Sequence, residues 1–225
     1  MSAAVEARGL ELAYGQTPAL RGVDLEIGLG ESVALMGPSG SGKSTLLHCA
    51  AGILVPDAGT LQVLGTDVAS MGESARARFR LEHLGLIFQL GELVSELTLE
   101  ENVMLPLQLL GRSRQEARTE AAEMLDRLGV AEVAGRRAGE VSGGQAQRGA
   151  VARALAPRPQ LVLADEPTGS LDTVAADAVM AALVETSHDL GSTLLVVTND
   201  HRVAAYLERH VTITDGRVLT TAGTR

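Results

Sequence analysis

The sequence predicts an α/β fold: a parallel sheet with covering helices, interrupted by a helical lobe. Three observations predict it. Short β-like runs crowd the first third, helix-start signals mark the middle, and from residue 160 strand, helix and strand alternate. That last alternation implies parallel strands covered by helices. At 225 residues the chain is long enough for one sizeable α/β domain with an inserted lobe.

The runs VEARGLELAY (5–14), LRGVDLEI (20–27) and ESVALMG (31–37) read as strands. After a glycine-rich loop, KSTLLHCAAG reads as a helix closed by Gly52, and GTLQVLG (59–65) returns to strand. Thr98 with Glu101, and Ser113 with Glu116, have the spacing of capping boxes, in which each side chain satisfies a free amide at a helix start. The second of these helices places Ala117, Ala121, Met124, Leu125 and Leu128 at helical spacing and stops at Gly129. LVLAD, a long helical run and TLLVVT follow, and ITDGRVLT holds an Asp-Gly turn between apolar runs, a terminal hairpin. The helical lobe spans roughly 90–155, between core segments 1–89 and 156–225 of a single domain.

Hydrophobic residues make up 45% and charged residues 21%, an ordinary globular composition. Aromatics are 2% and Trp is absent, so Leu, Val, Ile and Ala must build the core. A net charge of −9 argues against a surface that holds nucleic acid nonspecifically. The single Cys49 excludes an internal disulfide and fits a reducing compartment. The opening MSAAVEARGLELAYG lacks the basic start and long apolar run of a signal peptide, and no stretch reaches the ~18 apolar residues of a spanning helix. A soluble, cytoplasmic protein is expected, with any membrane role supplied through a partner.

Two motifs carry the chemistry. GPSGSGKST (37–45) matches G-x-x-x-x-G-K-[ST] through Gly37, Gly42, Lys43 and Ser44, after an apolar strand and before a helix. In such a loop, Gly37, Pro38, Ser39, Gly40, Ser41, Gly42, Lys43, Ser44 and Thr45 wrap backbone amides around phosphate oxygens, helped by the positive end of the helix. Lys43 would reach the β and γ phosphates, and the Ser44 hydroxyl would bind Mg²⁺. In LVLADEP (161–167) an apolar strand delivers Asp165 and Glu166 to its carboxyl end. Asp165 would hold Mg²⁺, and Glu166 would polarise the attacking water as general base. Together they describe a nucleoside-triphosphate hydrolase.

VSGGQAQRGAVARAL (141–155), placed after the phosphate loop and just before the acidic strand, resembles the signature of ATP-binding cassette (ABC) ATPases. The resemblance extends over nearly the whole chain and implies a P-loop NTPase core with an amino-terminal antiparallel β subdomain and an inserted helical subdomain. It implies ATP and Mg²⁺ as ligands. It also implies a membrane permease and a second ABC ATPase subunit, most simply a homodimer, as partners, and no nucleic acid. Ser142, Gly143, Gly144 and Gln145 would face the nucleotide of the opposite subunit. Tyr14 matches the aromatic that stacks on adenine, and Gln89 the glutamine that senses Mg²⁺ and couples to the permease. Ser170, Leu171 and Asp172 match the loop that crosses the dimer interface. Glu92, Leu93, Leu97 and Leu99 are candidates for contacting the permease. ENVMLPLQLLG and ADEPTGSLD look most like the branch serving lipoprotein-release, macrolide-export and cell-division permeases. Such a subunit sits on the inner face of the cell membrane through its permease.

By the same resemblance Asn199, in LLVVTND, stands where the family places a switch histidine. A carboxamide is shorter than imidazole and stays neutral, so binding of Mg-ATP and dimerisation are expected to be normal and hydrolysis slow. His188-Asp189 lies before the strand and is expected to face solvent, while His201 lies two residues beyond Asn199, where it replaces the missing histidine only if it swings in against the direction its place at a helix start sets. Ala146 replaces a frequent glutamine, and Gly149 loosens the signature helix by up to about 1 kcal/mol. A regulatory ATP-binding module with little turnover is the alternative. A soluble ABC ATPase on DNA or ribosomes would need a coiled coil or two fused cassettes, and a nucleotide kinase would lack SGGQ.

Overall fold

A computed structural model describes residues 3–89 and 92–219. The chain opens with the long strands β1 (Ala3–Tyr14) and β2 (Thr17–Gly28), paired antiparallel, which β4 (Ala58–Val63) and β5 (Thr66–Asp67) extend into a four-stranded sheet of order β2-β1-β4-β5. Between them β3 (Ser32–Met36) and α1 (Lys43–Ala50) belong to the second layer. Then α2 (Glu73–His83) runs directly into β6 (Leu84–Ile87). The helical part consists of α3 (Leu99–Leu109), α4 (Arg114–Arg127) and α5 (Gly143–Leu155). The chain returns through β7 (Leu161–Asp165), α6 (Thr173–Asp189), β8 (Thr193–Thr198), α7 (His201–Ala204), β9 (Arg209–Thr214) and β10 (Arg217–Leu219).

The main sheet has the order β10-β9-β3-β8-β7-β6, with β6, β7, β8, β3 and β9 parallel and β10 turned back on the edge. Both residues of the Asp215-Gly216 turn have positive φ, as a two-residue hairpin needs. Both capping boxes of α3 and α4 are formed, and α4 ends before Gly129, whose φ is +65°.

Strand alternation divides the core into two layers. Val33, Leu35, Leu163, Leu195 and Val197 pack with Leu46 and Leu47 of α1 and the inner face of the antiparallel sheet. Ala34, Met36, Val162, Ala164 and Val196 pack on α5, α6 and the helical part, through Leu99, Val103, Leu125 and Val151. The core is aliphatic, with Phe79 its one large aromatic among the described residues. Parallel pairing puts the carboxyl ends of β3, β6, β7 and β8 on one rim: Met36 pairs with Thr198, and Asp165 with Val197. Ligands of open parallel sheets sit on that rim.

Candidate active site

The phosphate loop leaves β3 at Gly37 and enters α1 at Lys43. Its path is compact: a Cβ on Gly37 (φ +154°) would lie 2.1 Å from the Ile213 carbonyl oxygen, and one on Gly42 (φ +103°) 2.5 Å from that of Ala19. Pro38, Ser39 and Gly40 are exposed at the crest. Buried Lys43 donates to the carbonyl oxygens of Gly37 (2.9 Å) and Pro38 (3.0 Å), which sets a cation inside the turn. The Ser41 carbonyl accepts from Gly216 N–H at 3.0 Å, while its Oγ is buried with no protein partner. No side chain caps α1, and no acidic residue lies in its first turn, where Ser44 and Thr45 stand. A closed backbone cradle, a lysine ammonium and an uncompensated helix start fit a chain of phosphates. Tyr14, 54% exposed, ends β1 at the hairpin whose second strand brings Ala19 against Gly42.

Asp165 and Glu166 follow β7. Ser44 Oγ donates to Asp165 Oδ1 at 3.0 Å. This pair of oxygen donors suits a hard cation that takes its remaining ligands from phosphate and water, as Mg²⁺ does. Among the described residues no group of three His, Cys, Asp or Glu side chains could hold a metal by itself. His48, one turn beyond Ser44 on α1, brings Nε2 to 3.9 Å from Asp165 Oδ2. The sequence reading missed this neighbour, for which the spacing from Ser44 was the only signal.

Glu166 adopts a left-handed backbone (φ +45°) and ties its N–H to the Val197 carbonyl at 2.9 Å. Its Oε2 receives the Thr198 hydroxyl at 3.4 Å, and the nearby Asn199 backbone N–H favours the charged carboxylate. Burial pushes the Glu166 carboxyl up from its ordinary value; Lys43 opposes this, and the charge of Asp165 adds to it.

Asn199 itself is exposed, and its place at the end of β8 is set by Thr198, whose Oγ1 accepts from Asp200 N–H at 3.0 Å. His201 is exposed at the start of α7. His188 is 84% exposed near the end of α6, just before the start of β8 and so at the opposite end of that strand from Thr198. Gln89 follows β6, its side-chain amide against Gly169. Buried Gln147 of α5 donates to the Phe88 carbonyl at 3.2 Å, and Arg153 to the Glu92 carbonyl at 2.9 Å, so α5 grips this segment at two points. Neither residue stood out in the sequence.

Ser142 caps α5: its Oγ accepts from Gln145 N–H (3.3 Å), and Gln145 Oε1 accepts from Ser142 N–H (3.0 Å). The cap does not use the proton of that hydroxyl. Gly143 and Gly144 pack on Leu171 and Ala175. Asp172 caps α6 by accepting Ala175 N–H at 2.9 Å. Signature and Ser170–Asp172 thus line one surface cavity of about 280 Å³.

A groove of about 770 Å³ runs between α2, β6 and α3. Leu81, Leu86, Phe88 and Leu109 form its apolar walls, with Arg78 and Arg153 among the flanking cations. Leu99 needs correcting as a candidate partner contact. It has no exposed surface, because it packs under α5, where a Cβ on Gly149 would stand 3.0 Å from its Cδ2. Glu92 is exposed, and Leu93 and Leu97 are half-buried.

Phosphate loop, acidic strand end and helix-starting signature, mounted on this two-sheet frame, define a nucleotide-hydrolysing cassette. The chain belongs to the ABC transporter family, as an ATP-binding and ATP-hydrolysing subunit: the family model described as ABC transporter matches residues 20–169. It is 44% identical over 215 residues to the lipoprotein-releasing system ATP-binding protein LolD 2 of Caulobacter vibrioides, covering 94% of each chain. It is 48% identical over 204 residues to LolD of Anaeromyxobacter dehalogenans, covering 90% of this chain and 85% of that one. Among solved structures it resembles a dimeric bacterial ABC transporter cassette, with TM-score 0.91 at 35% identity over 98% of this chain and 99% of the other. A dimeric post-hydrolysis cassette bound to ADP and Pi gives TM-score 0.90 at 34% identity, again over 98% and 99%.

Proposed function

We propose that this cassette powers a lipoprotein-release type permease from the inner face of the cell membrane, as one of two identical subunits that close on two ATP molecules. The observation that carries the site reading is the meeting, on one rim, of the Lys43 cradle, the Ser44–Asp165 contact and Glu166. The substrate class comes from the relatives, which are lipoprotein-releasing ATP-binding proteins aligned over most of their length. No helix among the described residues is long and apolar enough to cross a membrane, so the permease must supply the spans. The groove beside Leu109 is suited to a helix from that permease.

Lys43 holds the β and γ phosphates, with loop amides on the remaining oxygens. Ser44, Asp165 and Gln89 are the residues that would hold Mg²⁺, and when bound it neutralises charge on the β and γ oxygens. Glu166 takes the proton of the attacking water as oxygen bonds to the γ phosphorus and the bond to ADP breaks. Ser142 and the amides of Gly143, Gly144 and Gln145 face the partner's nucleotide, and Tyr14 stacks on adenine. Asn199 lends its backbone N–H to Glu166, a contact any residue would make. Its side chain gives up the charge and reach of an imidazole, which slows hydrolysis by roughly 10²–10³.

Steady-state hydrolysis by the wild type, Asn199→His and Glu166→Gln tests this. Slow wild-type turnover, faster turnover with histidine at similar ATP affinity, and none in Glu166→Gln is the expected result. Fast wild-type turnover that histidine does not improve would show Asn199 to be a working substitute.

A further inference from the structure

Glu166 is linked by polar contacts to a surface on another element. Thr198 Oγ1, buried, donates to Glu166 Oε2 at 3.4 Å and accepts from Asp200 N–H at 3.0 Å. The Asp200 carboxylate accepts the Arg202 backbone N–H at 2.8 Å and Arg202 Nη2 at 2.9 Å. Nη1 of the same guanidinium donates to Thr173 Oγ1 at 3.2 Å. Thr173 is the first residue of α6, next to the cap Asp172 in the cavity shared with the signature. A second tie lies one turn along α6, where the Tyr206 hydroxyl donates to Asp177 Oδ1 at 3.3 Å. The contacts therefore run unbroken from the base to the start of α6, and the planar fork of arginine lets one side chain span the gap.

We propose that Arg202 is a positioning residue for hydrolysis. It transmits the placement of Ser170–Asp172, fixed when a second copy of this chain docks there, to Glu166 through Asp200 and Thr198. This rests on the reading of Glu166 as base and of that surface as a dimer face. Arg202 is 62% exposed and Asp200 36%, and exposed ion pairs add little to folding. The contact therefore matters for position and not for stability, which makes the two separable.

The test measures kcat, KM for ATP and melting temperature for Arg202→Met, Thr173→Val, Thr173→Ser and the double variant Arg202→Met/Thr173→Val. Expected are kcat losses of roughly three- to thirtyfold in Arg202→Met and Thr173→Val, the usual size for a residue on a coupling route. KM and melting temperature should hold, Thr173→Ser should match wild type, and the double variant should be no worse than Arg202→Met. Wild-type kcat in Arg202→Met or Thr173→Val, losses that multiply in the double variant, or serine failing like valine would overturn the proposal. So would a fall in melting temperature that accounts for the lost rate. Glu166→Gln beside them separates the readings. If it still turns over, the base assignment fails; if it is inactive while Arg202→Met is normal, only the role of Arg202 fails.

Discussion

Glu166 is the side chain whose two protonation states matter most, for activity and for stability. Its carboxyl is pushed up by burial, so the unfolded chain ionises first as pH rises, and the folded protein must then hold a charge it disfavours. Well below the ordinary carboxylate range the group is neutral in both states and has no effect; above its raised pKa it lowers stability. Glu166→Gln is therefore expected to raise the melting temperature at pH 7.5 and to do so less at pH 4, measured by calorimetry. The same variant removes the proposed base, so no turnover above background is expected. The acid limb of the wild-type kcat profile should lie above the ordinary glutamate range, because the base is lost as pH falls through the raised value. Lys43, Ser44, Asp165 and Glu166 could be picked out in the sequence because each lies in a short run with its own local pattern, a glycine-rich loop or an apolar strand end. Thr198 and His48 were not. They reach Glu166 and Asp165 through strand pairing and helix packing, across 32 and 117 residues of chain.

At the scale of elements, residues 92–98 are tied to α3 and α5 by specific contacts. Asn102 of α3 has no exposed surface; its Nδ2 donates to the carbonyls of Val94 (3.0 Å) and Thr98 (2.9 Å), and its Oδ1 accepts Val94 N–H at 2.8 Å. Asn102→Leu strands these groups, and urea denaturation should show a loss of about 2–4 kcal/mol. Gly149 reads in sequence as a weakness of the signature helix. In the structure it is what lets α5 lie on Leu99 and Leu93. Gly149→Val should cost about 1–3 kcal/mol by overpacking, in the same assay. The capping boxes of α3 and α4 were visible because their signal is local. By contrast, α2 was invisible: ESARARFRLEH buries only Phe79 and is supported by ion pairs such as Arg76–Glu73 and Arg78–Glu82, both 2.7 Å. With so narrow an apolar face there is no period to read, and β6 follows it with no turn residue between them.

At the scale of the molecule, the phosphate loop and the signature open onto different surfaces of the chain. The phosphate loop sits on the sheet rim, while the signature opens onto a separate cavity with Ser170–Asp172. Spacing within a single chain could not have revealed that division; only the resemblance carried by SGGQ and the loop before α6 did. Two solved structures of a similar cassette are dimeric, and in this chain the Ser142 hydroxyl accepts one bond as a cap, which leaves its own proton unused by that contact. The most direct test is the mass of Glu166→Gln by light scattering with Mg-ATP, with Mg-ADP, and with Mg-ATP after Ser142→Arg is added. The expected result is twice the mass of one chain with ATP, and a single chain with ADP or with arginine at 142. A single-chain mass with ATP demonstrably bound would contradict a site completed by a second copy.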